Sequence, residues 1–307
     1  MTEPAPHLGP RLSIVIGMQY ALANLPAILA ALRPGLIAEQ AEVLLCHAAD
    51  DPLGLAPQEA TLPGLRIVTG AAGALIPALW RDGIVAARST AVALLSGHCV
   101  PDARWLDRAL SLDLDRCAGY GGLIVNDPQS DAVGAAIHLL RYHGFASAAP
   151  PRSGPRPVRE IAADNAVYRR AAILACTDLL ADGFWEPAYH ARFRARGLGL
   201  ELCPDLIVTH VNRYSPRQFM RQRRWHGRNF GLSRARAAPA PRRWVMLLGG
   251  TVAAFPVFAV KLTRAIRRDP VLRPDLARAA PWFYLFLANW SLGEVWGYAS
   301  AVFGARR

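Results

Sequence analysis

The chain has little lysine, few cysteines and one long segment without acidic residues. Lys261 is the only lysine, so arginine supplies nearly all of the positive charge, and the formal net charge is +12. The five cysteines are scattered and lack paired metal-type spacing: Cys46, Cys99, Cys117, Cys176 and Cys203. An odd, scattered set of thiols indicates a reducing cytosol, where cysteine acts as a small apolar side chain.

The positive charge is concentrated rather than averaged over the chain. No acidic residue lies between Asp205 and Asp269, whereas 14 basic residues do. Such a field attracts polyanions, which include nucleic acid, anionic membrane lipid and a diphosphate. The basic run has few interleaved aromatic residues and adjoins apolar segments, so we expect a membrane and no nucleic acid as its partner.

The length and the pattern of apolar segments predict an α/β fold with an appendage. With 307 residues and 52% hydrophobic content, the chain can bury an α/β core and retain a further segment. Short apolar strands are predicted at 12–16, 42–46, 65–68, 92–95 and 206–210, and helices at 24–32, 76–87, 171–180 and 216–230. This alternation predicts a mostly parallel central sheet flanked by helices. Asn24 is the expected cap of the first helix, with Pro26 in its first turn.

We expect a catalytic domain over residues 1–235 and a membrane-associated helical segment over 242–307. The proline-rich and arginine-rich segment 147–159 is predicted to be a surface loop. Residues 1–11 lack the basic-then-apolar pattern of a signal peptide, so the first domain is expected in the cytoplasm. In the appendage, residues 244–262 and 281–303 are apolar.

Arginines flank both apolar stretches and lie in the loop that joins them, which conflicts with the positive-inside rule for a spanning hairpin. Three arrangements therefore stay open: helices on the cytoplasmic leaflet, two spans, or buried core helices. The expected location is the cytoplasmic face of a bacterial-type inner membrane.

The first candidate site lies where an apolar strand stops. The run from Thr90 to Leu95 gives way to Ser96, Gly97 and His98. Open α/β sheets bind ligands outside the carboxyl ends of their strands. The end of this strand is therefore predicted to open into a binding crevice.

Five ordered blocks carry a resemblance to a known family. They are LSIVIGMQYALANLPAIL, AEVLLCHAADD, GIVAARSTAVALLSGHCVPDARWL, IAADNAVYRRAAIL and GFWEPAYHARFRARGLGLELCPDLIVTH. In this order they resemble the inverting family 2 glycosyltransferases of the glycosyltransferase-A fold, over about residues 11–230. The resemblance implies a nucleotide-sugar donor, a divalent cation held by a DxD-type motif after strand 92–95, and a later acidic residue as catalytic base. It also implies a lipid-linked or envelope-polysaccharide acceptor.

The chain departs from the DxD motif, because Ser96 and His98 stand where the resemblance implies two carboxylates. Mg²⁺ prefers oxygen ligands, whereas an imidazole suits Mn²⁺ or another transition ion better. Either His98 is a metal ligand, with Asp102 as a candidate auxiliary ligand, or no cation is used and arginines neutralise the diphosphate. The alternative role for Asp102 is that of a turn or cap residue.

Other candidates follow from the remaining blocks. After the second strand, His47 and Asp50 are candidate donor-binding residues; His47 stands where the family has an aspartate, and the alternative for Asp50 and Asp51 is a solvated loop. Asp164 and Asn165 are candidates for lining the acceptor or sugar site.

Glu186 is the candidate catalytic base, since a carboxylate near the acceptor hydroxyl can take its proton as the oxygen attacks the anomeric carbon. The alternative is a structural Glu-Pro pair at a helix N-terminus. Trp185 is a candidate for stacking on a sugar face, or else a core residue.

The helix predicted over 216–230 is strongly basic and approximately matches the QxxRW motif of membrane-bound processive relatives. Its arginines are Arg217, Arg221, Arg223, Arg224 and Arg228. We expect Arg223, Arg224 and Arg228 either to bind the donor diphosphate or to face lipid headgroups. Two functions stay open: a membrane-associated glycosyltransferase, and a catalytically silent relative that serves as a binding or assembly module.

Overall fold

A computed structural model describes residues 9–51, 53–55, 57–146 and 154–304. The described residues form two compact units. The first consists of residues 1–127 and 145–213, and the second of residues 128–144 and 214–307. The boundary between the units falls at 213/214, and the helix Ala132–Tyr142 belongs to the second unit. The predicted functional domains, 1–235 and 242–307, stay a prediction.

Secondary structure follows the predicted alternation, with longer elements. The strands of the described residues are β1 (Leu12–Met18), β2 (Ala41–Ala48), β3 (Leu65–Gly70), β4 (Ala91–Ser96), β5 (Cys99–Pro101), β6 (Gly119–Asn126), β7 (Arg156–Val158), β8 (Asn165–Arg169) and β9 (Leu200–His210). The helices are α1 (Leu25–Ile37), α2 (Pro57–Ala60), α3 (Ile76–Ala86), α4 (Trp105–Leu110), α5 (Ala132–Tyr142), α6 (Arg170–Leu174), α7 (Thr177–Leu180), α8 (Glu186–Ala195), α9 (Pro216–Arg236), α10 (Ala240–Arg268) and α11 (Arg273–Phe303).

The strands of the first unit form one mixed sheet in the order β3-β2-β1-β4-β8-β6-β9-β5, and β7 pairs with β9. Strands β3, β2, β1 and β4 are parallel, whereas β8 runs antiparallel to both β4 and β6. The chain order reverses between β1 and β4, so their carboxyl ends meet at the kind of switch point where open α/β sheets bind ligands. The sheet therefore places the predicted site at this edge.

Burial explains why these segments were recognisable as strands. Every residue of β1 and β2 is buried, as expected for parallel strands covered on both faces. Helix α3 covers one face with Leu79, Trp80 and Ile84, each at most 2% exposed. The indole of Trp80 also donates a 2.8 Å hydrogen bond to the carbonyl of Leu95, which fixes α3 to β4.

The structure corrects three local predictions. Asn24 precedes α1 but makes no capping hydrogen bond with its side chain, although Pro26 lies in the first turn as expected. The helix expected at 171–180 is broken into α6 and α7. Part of the predicted loop, Arg156–Val158, is the strand β7, because its backbone pairs with β9 at the sheet edge, where proline is tolerated. Residues 147–153 of that loop, and residues 1–8, lie outside the described residues.

In the second unit, α9 and α11 cross with their backbones in contact. A Cβ atom added at Gly293 would lie 2.1 Å from the carbonyl oxygen of Arg224, and one at Gly227 would lie 2.2 Å from that of Trp290. Gly231 and Gly297 have equally short approaches, so each helix contributes two glycines four residues apart. Such small-residue spacing lets two helices approach more closely than larger side chains allow.

Helices α10 and α11 differ in burial although both were expected to be apolar appendages. Helix α10 is the one helix of the described residues that is long and apolar enough to cross a membrane, and none of its most apolar window is buried. Helix α11 instead buries one face, which includes Phe283, Phe286 and Glu294. The two apolar stretches therefore have different surroundings.

Candidate active site

The turn after β4 is held by hydrogen bonds from several elements. The amide of Gly97 donates to the carbonyl of Gly17 at 2.9 Å, and the amide of Val211 donates to the carbonyl of His98 at 2.8 Å. The side-chain amide of Asn24 donates 3.0 Å bonds to the carbonyls of Gly97 and Val211. Asn24 thus joins the ends of β4 and β9 instead of capping a helix.

Ser96 and His98 are both 1% exposed. The Nε2 atom of His98 lies 3.0 Å from the carbonyl oxygen of Gln19, after β1, and therefore acts as the donor in this contact. The ring of His98 also lies beside that of His210, with 6.2 Å between centroids. His210 was not among the candidates named from the sequence. The feature that could have identified it is its position at the end of the strand predicted over 206–210.

An acidic residue lies just before β8, whose start is beside the carboxyl end of β4. Leu95 of β4 is paired with Asn165, the first residue of β8, and Ser96 follows Leu95 while Asp164 precedes Asn165. Asp164 is only 6% exposed. Although the two DxD carboxylates are missing, a carboxylate from a neighbouring strand therefore lies at this edge.

Glu186 is connected to this segment. One of its carboxylate oxygens accepts a 3.3 Å hydrogen bond from the amide of Ala163, the residue before Asp164. Glu186 is the first residue of α8 and is followed by Pro187, as the structural alternative expected. Its side chain is partly exposed, so it is accessible to a ligand. The structure therefore joins Glu186 to the segment that precedes β8, and the grouping of Ser96, Asp164 and Glu186 in one site stays a prediction.

A buried hydrogen-bond chain lies close to these acids. The hydroxyl of Tyr168 is 3.0 Å from Nε2 of His190, whose Nδ1 is 2.6 Å from a carboxylate oxygen of Glu160. Burial, followed by the negative charges of Glu186, Glu160 and Asp164, raises the pKa of Tyr168 well above its ordinary value. Burial lowers the pKa of His190, although Glu160 opposes the shift. This chain of hydrogen bonds joins β8, through Tyr168, to α8, through His190.

Two other candidates from the same blocks have structural contacts. The amide of Asn165 donates 2.9 Å bonds to the carbonyls of Leu123 and Leu206, and its oxygen accepts from the indole of Trp105 at 2.8 Å. Asn165 therefore ties β8 to β6, β9 and α4. Trp185 is 37% exposed, and its indole donates to the carbonyl of Asp182. Trp185 is thus not a core residue, and its contact with a sugar stays a prediction.

The predicted nucleotide side of the site lies after β1 and β2. His47 is 8% exposed, with Nδ1 2.9 Å from the carbonyl of Ala48 and Nε2 3.0 Å from the hydroxyl of Thr69. Asp50 is exposed and accepts a 2.7 Å bond from the amide of Gly73. His47 therefore braces the loop after β2, and its direct contact with a donor stays a prediction.

No three histidine, cysteine, aspartate or glutamate side chains within the described ranges form a group that would hold a metal ion. Asp102 accepts a 2.8 Å bond from the amide of Arg104, which is the turn role considered for it. It also lines a surface cavity of about 350 Å³ with Asp107, Arg108 and Asp205. A metal-ligand role for His98 or Asp102 stays a prediction.

The arginines of the basic helix belong to α9 in the second unit. Arg224 donates a 2.9 Å bond to the side-chain oxygen of Asn289 on α11. Arg228 lies 5.2 Å from the ring centre of Trp225 and 4.8 Å from that of Trp296. These aromatic contacts favour guanidinium groups over the ammonium group of lysine.

Comparisons with known proteins were made for the whole chain. No family model matches it, and no curated protein sequence matches it. Among solved structures, the chain is similar to residues 1–349 of TarS from S. aureus, with a TM-score of 0.50 and 11% identity over 95% of this chain and 90% of that one. It is also similar to a mannosyltransferase from Pyrobaculum calidifontis in complex with GDP-Man and Mn²⁺, with a TM-score of 0.49 and 15% identity over 96% and 89% of the two chains.

The fold prediction is confirmed: a mixed α/β chain with a central sheet flanked by helices, of the glycosyltransferase-A type.

Proposed function

We propose that this protein is a membrane-associated glycosyltransferase that moves a sugar from a nucleotide-sugar donor to a lipid-linked or envelope-polysaccharide acceptor with inversion. The observation that carries the proposal is the contact between Glu186 and the amide of Ala163. The proposal is supported by the pairing of Leu95 in β4 with Asn165 in β8, since Ser96 follows the first and Ala163 precedes the second by two residues. A base and a strand-end crevice are the two parts that sugar transfer needs.

In the proposed reaction, an acceptor hydroxyl oxygen attacks the anomeric carbon of the donor sugar. The new carbon–oxygen bond forms as the bond from that carbon to the diphosphate breaks, and the nucleoside diphosphate leaves with the electron pair. Glu186 takes the hydroxyl proton. Because attack comes from the face opposite the leaving group, the configuration inverts.

The leaving diphosphate would meet a carboxylate at the strand end. Asp164 would repel it unless a cation or proton intervened. His98 and His210 are 1% and 0% exposed, and Nε2 of His98 donates to the carbonyl of Gln19, so neither imidazole is open to a diphosphate as the side chains stand. Mn²⁺ is the divalent cation that imidazole ligands favour. Whether a cation is required is thus a sharp experimental question.

Membrane association is part of the proposal. It is supported by α10, whose apolar side chains such as Val245, Leu248 and Val252 are at least 66% exposed, and by arginines at both ends of the helix. Apolar helices flanked by arginine are attracted to the anionic cytoplasmic leaflet. We place the protein at the cytoplasmic face of a bacterial-type inner membrane.

A donor panel tests the proposal. Purified full-length protein would be incubated with uridine, guanosine, thymidine and cytidine diphosphate sugars, each with Mn²⁺, Mg²⁺ or EDTA, and release of nucleotide would be measured. Release from at least one donor is expected, with Mn²⁺ more effective than Mg²⁺. Turnover that persists in EDTA would assign neutralisation of the diphosphate to protein groups.

The second candidate, a catalytically silent binding module, is favoured by one observation: His98 and Ser96 replace two acids and are both buried. A silent module predicts that no donor binds under any metal condition, as measured by calorimetry. That result would contradict the proposed transferase.

A further inference from the structure

Helix α10 lies antiparallel to α11 along its whole apolar stretch. Near the start of α10, the rings of Trp244 and Phe303 are 5.3 Å apart between centroids. Near its end, the hydroxyls of Thr263 and Tyr284 are 2.9 Å apart. At a rise of about 1.5 Å per residue, the contact extends over about 28 Å. The two helices therefore have the same tilt relative to any membrane.

Helix α11 is held in turn by the basic helix α9. The ring centroids of Phe219 and Phe286 are 4.9 Å apart, and Arg234 donates a 2.9 Å bond to the hydroxyl of Tyr298. The glycines at which the two backbones touch lie between these contacts. Residues 219–234 of α9 thus run along α11. The arginines in this part of α9 are Arg221, Arg223, Arg224, Arg228 and Arg234.

This packing conflicts with a bilayer crossing by α10. The part of α11 that contacts α9, residues 286–298, lies within the stretch that also contacts α10. If α10 crossed a membrane, α11 would cross beside it, and α9 would carry five arginines to the depth of the hydrocarbon. Charged side chains are costly there and are rare in spanning segments. In a helix that lies along one leaflet, the arginines can stay at the level of the headgroups.

Exposed apolar side chains of α10 and α11 form the surface that would enter a leaflet. Val245, Leu248 and Val252 are spaced by three and four residues, so they share one side of α10, and each is at least 66% exposed. On α11, Leu292 and Trp296 are spaced by four residues and are 59% and 48% exposed. The exposed ring pair near the start of α10 connects the two sets. Both helices therefore contribute to one apolar face.

Charge favours an anionic leaflet over a second copy of the chain as the occupant of this face. Arginines stand at both ends of α10: Arg242, Arg243, Arg264, Arg267 and Arg268. In a two-fold dimer across this face, arginines would lie opposite arginines whether the paired α10 helices were parallel or antiparallel. Anionic headgroups would instead attract both ends of the helix.

We propose that α10 and the exposed side of α11 together lie in the plane of one leaflet of an anionic membrane and that neither helix crosses it. The inference rests on the membrane association proposed above, but it does not depend on sugar transfer. It selects one of the three arrangements that the sequence leaves open and adds α11 to the membrane-contacting surface.

Labelling of introduced cysteines tests the arrangement. Ala240→Cys and Val271→Cys place exposed thiols at the start of α10 and in the turn after it, and the wild type gives the background because its five cysteines are buried. Bacterial spheroplasts that hold the full-length protein in their membrane fraction are treated with a membrane-impermeant maleimide before and after lysis. Both sites should be protected in intact spheroplasts and labelled after lysis. Labelling of one site in intact spheroplasts would overturn the inference, because α10 would then cross the membrane, and would leave membrane association standing.

Vesicle flotation tests the apolar face itself, with phosphatidylcholine vesicles that contain phosphatidylglycerol and without any sugar donor. Val252→Asp and Leu292→Asp should each weaken binding by about tenfold, because a carboxylate replaces an apolar side chain in the leaflet. The matched control is Val85→Asp, at an exposed valine on a helix of the first unit, and it should bind like the wild type.

Unchanged binding of Leu292→Asp would overturn the contribution of α11. Absence of binding by the wild type would contradict membrane association itself. A wild-type dimer in solution that Val252→Asp dissociates, with vesicle binding unaffected, would assign the face to a second copy and overturn the inference.

Discussion

In the first unit, enclosed asparagines join distant segments of the chain, whereas in the second unit arginines of α9 lie against aromatic rings. Asn24 and Asn165 each bond to backbone carbonyls from two different segments. By contrast, the guanidinium of Arg223 lies 5.0 Å from the ring centre of Phe219, and that of Arg228 lies 4.8 Å from the ring centre of Trp296. Hydrogen bonds to backbone carbonyls fix the positions of loops, whereas contacts between arginine and aromatic rings are less directional.

The two units also differ in the sign of their clustered charges. The first unit gathers carboxylates near the switch point, where Glu160, Asp164 and Glu186 all act on Tyr168. The second unit gathers arginines near an exposed apolar helix. A proton acceptor suits the first region and a membrane surface suits the second, so substitutions in the two regions should have different effects.

The largest expected effect is on turnover in the first unit. Glu186→Gln keeps the size of the side chain and its bond from the amide of Ala163 but removes the proton acceptor. We expect kcat to fall by about 1,000-fold with an unchanged thermal midpoint, because general-base catalysis contributes about 10²- to 10⁴-fold. Glu201→Gln, on β9, is the matched control and should keep its activity. Activity of Glu186→Gln close to the wild-type value would assign α8 a structural glutamate only.

The next largest effect is on stability in the second unit. Gly293→Val would drive a side chain into the backbone of α9, because the Cβ position is 2.1 Å from the carbonyl oxygen of Arg224. We expect a loss of about 3 kcal/mol in the free energy of unfolding, measured with guanidinium chloride and circular dichroism. Gly249→Ala, in α10, has open space around its Cβ position and should gain about 0.5 kcal/mol instead. A tolerated valine would show that α9 and α11 do not touch.

A third prediction compares a paired arginine with an unpaired one. Arg234→Met leaves Glu294, which is 2% exposed, without the 3.1 Å bond from Arg234. We expect this variant to lose about 2 kcal/mol, because a buried carboxylate without its cation is costly. Arg223→Met removes a charge without a counterion and keeps apolar contact with Phe219, so its stability should change by less than about 1 kcal/mol. Urea unfolding of both variants checks this order, and equal losses would refute it.

The sequence predicted β1 to β4 and the second half of β9, but not β5, β7 or β8. Residues 12–16, 42–46, 65–68 and 92–95 form apolar runs because parallel strands are covered on both faces. Such runs can be recognised from the sequence alone. The sequence analysis did not predict β6, because its three glycines are unusual in a strand. It also did not predict α5, which belongs to the second unit. Glycine in a strand marks a close approach that only the folded chain reveals.

Candidate residues could be named from the sequence where they lie at the ends of helices or strands, but not where distant segments meet. Glu186 and Ser96 could be named because each stands at the end of a recognisable element. The role of Asn24 could not, since its partners Gly97 and Val211 are 73 and 187 residues away. His210 was missed for the same reason: only strand pairing brings it beside His98.

The smallest expected effect is a change in the pH dependence of stability at Glu42, a hydrogen-bonded carboxylate of the first unit. Burial would raise the pKa of Glu42, but hydrogen bonds from Ser13, Arg66 and the amide of Arg88 outweigh it and leave the pKa below its ordinary value of 4.5. A carboxylate with a lowered pKa adds stability above its unfolded-state pKa, and this stability is lost as the pH falls through the folded-state value. Glu42→Gln should therefore lose about 1 kcal/mol at neutral pH and flatten the acid limb of the stability curve, measured by urea unfolding between about pH 3 and 7. The wild type should lose that same increment on acidification, because protonation and substitution remove the same charge. An acid limb as steep in the variant as in the wild type would mean that Glu42 is not held ionised by these donors.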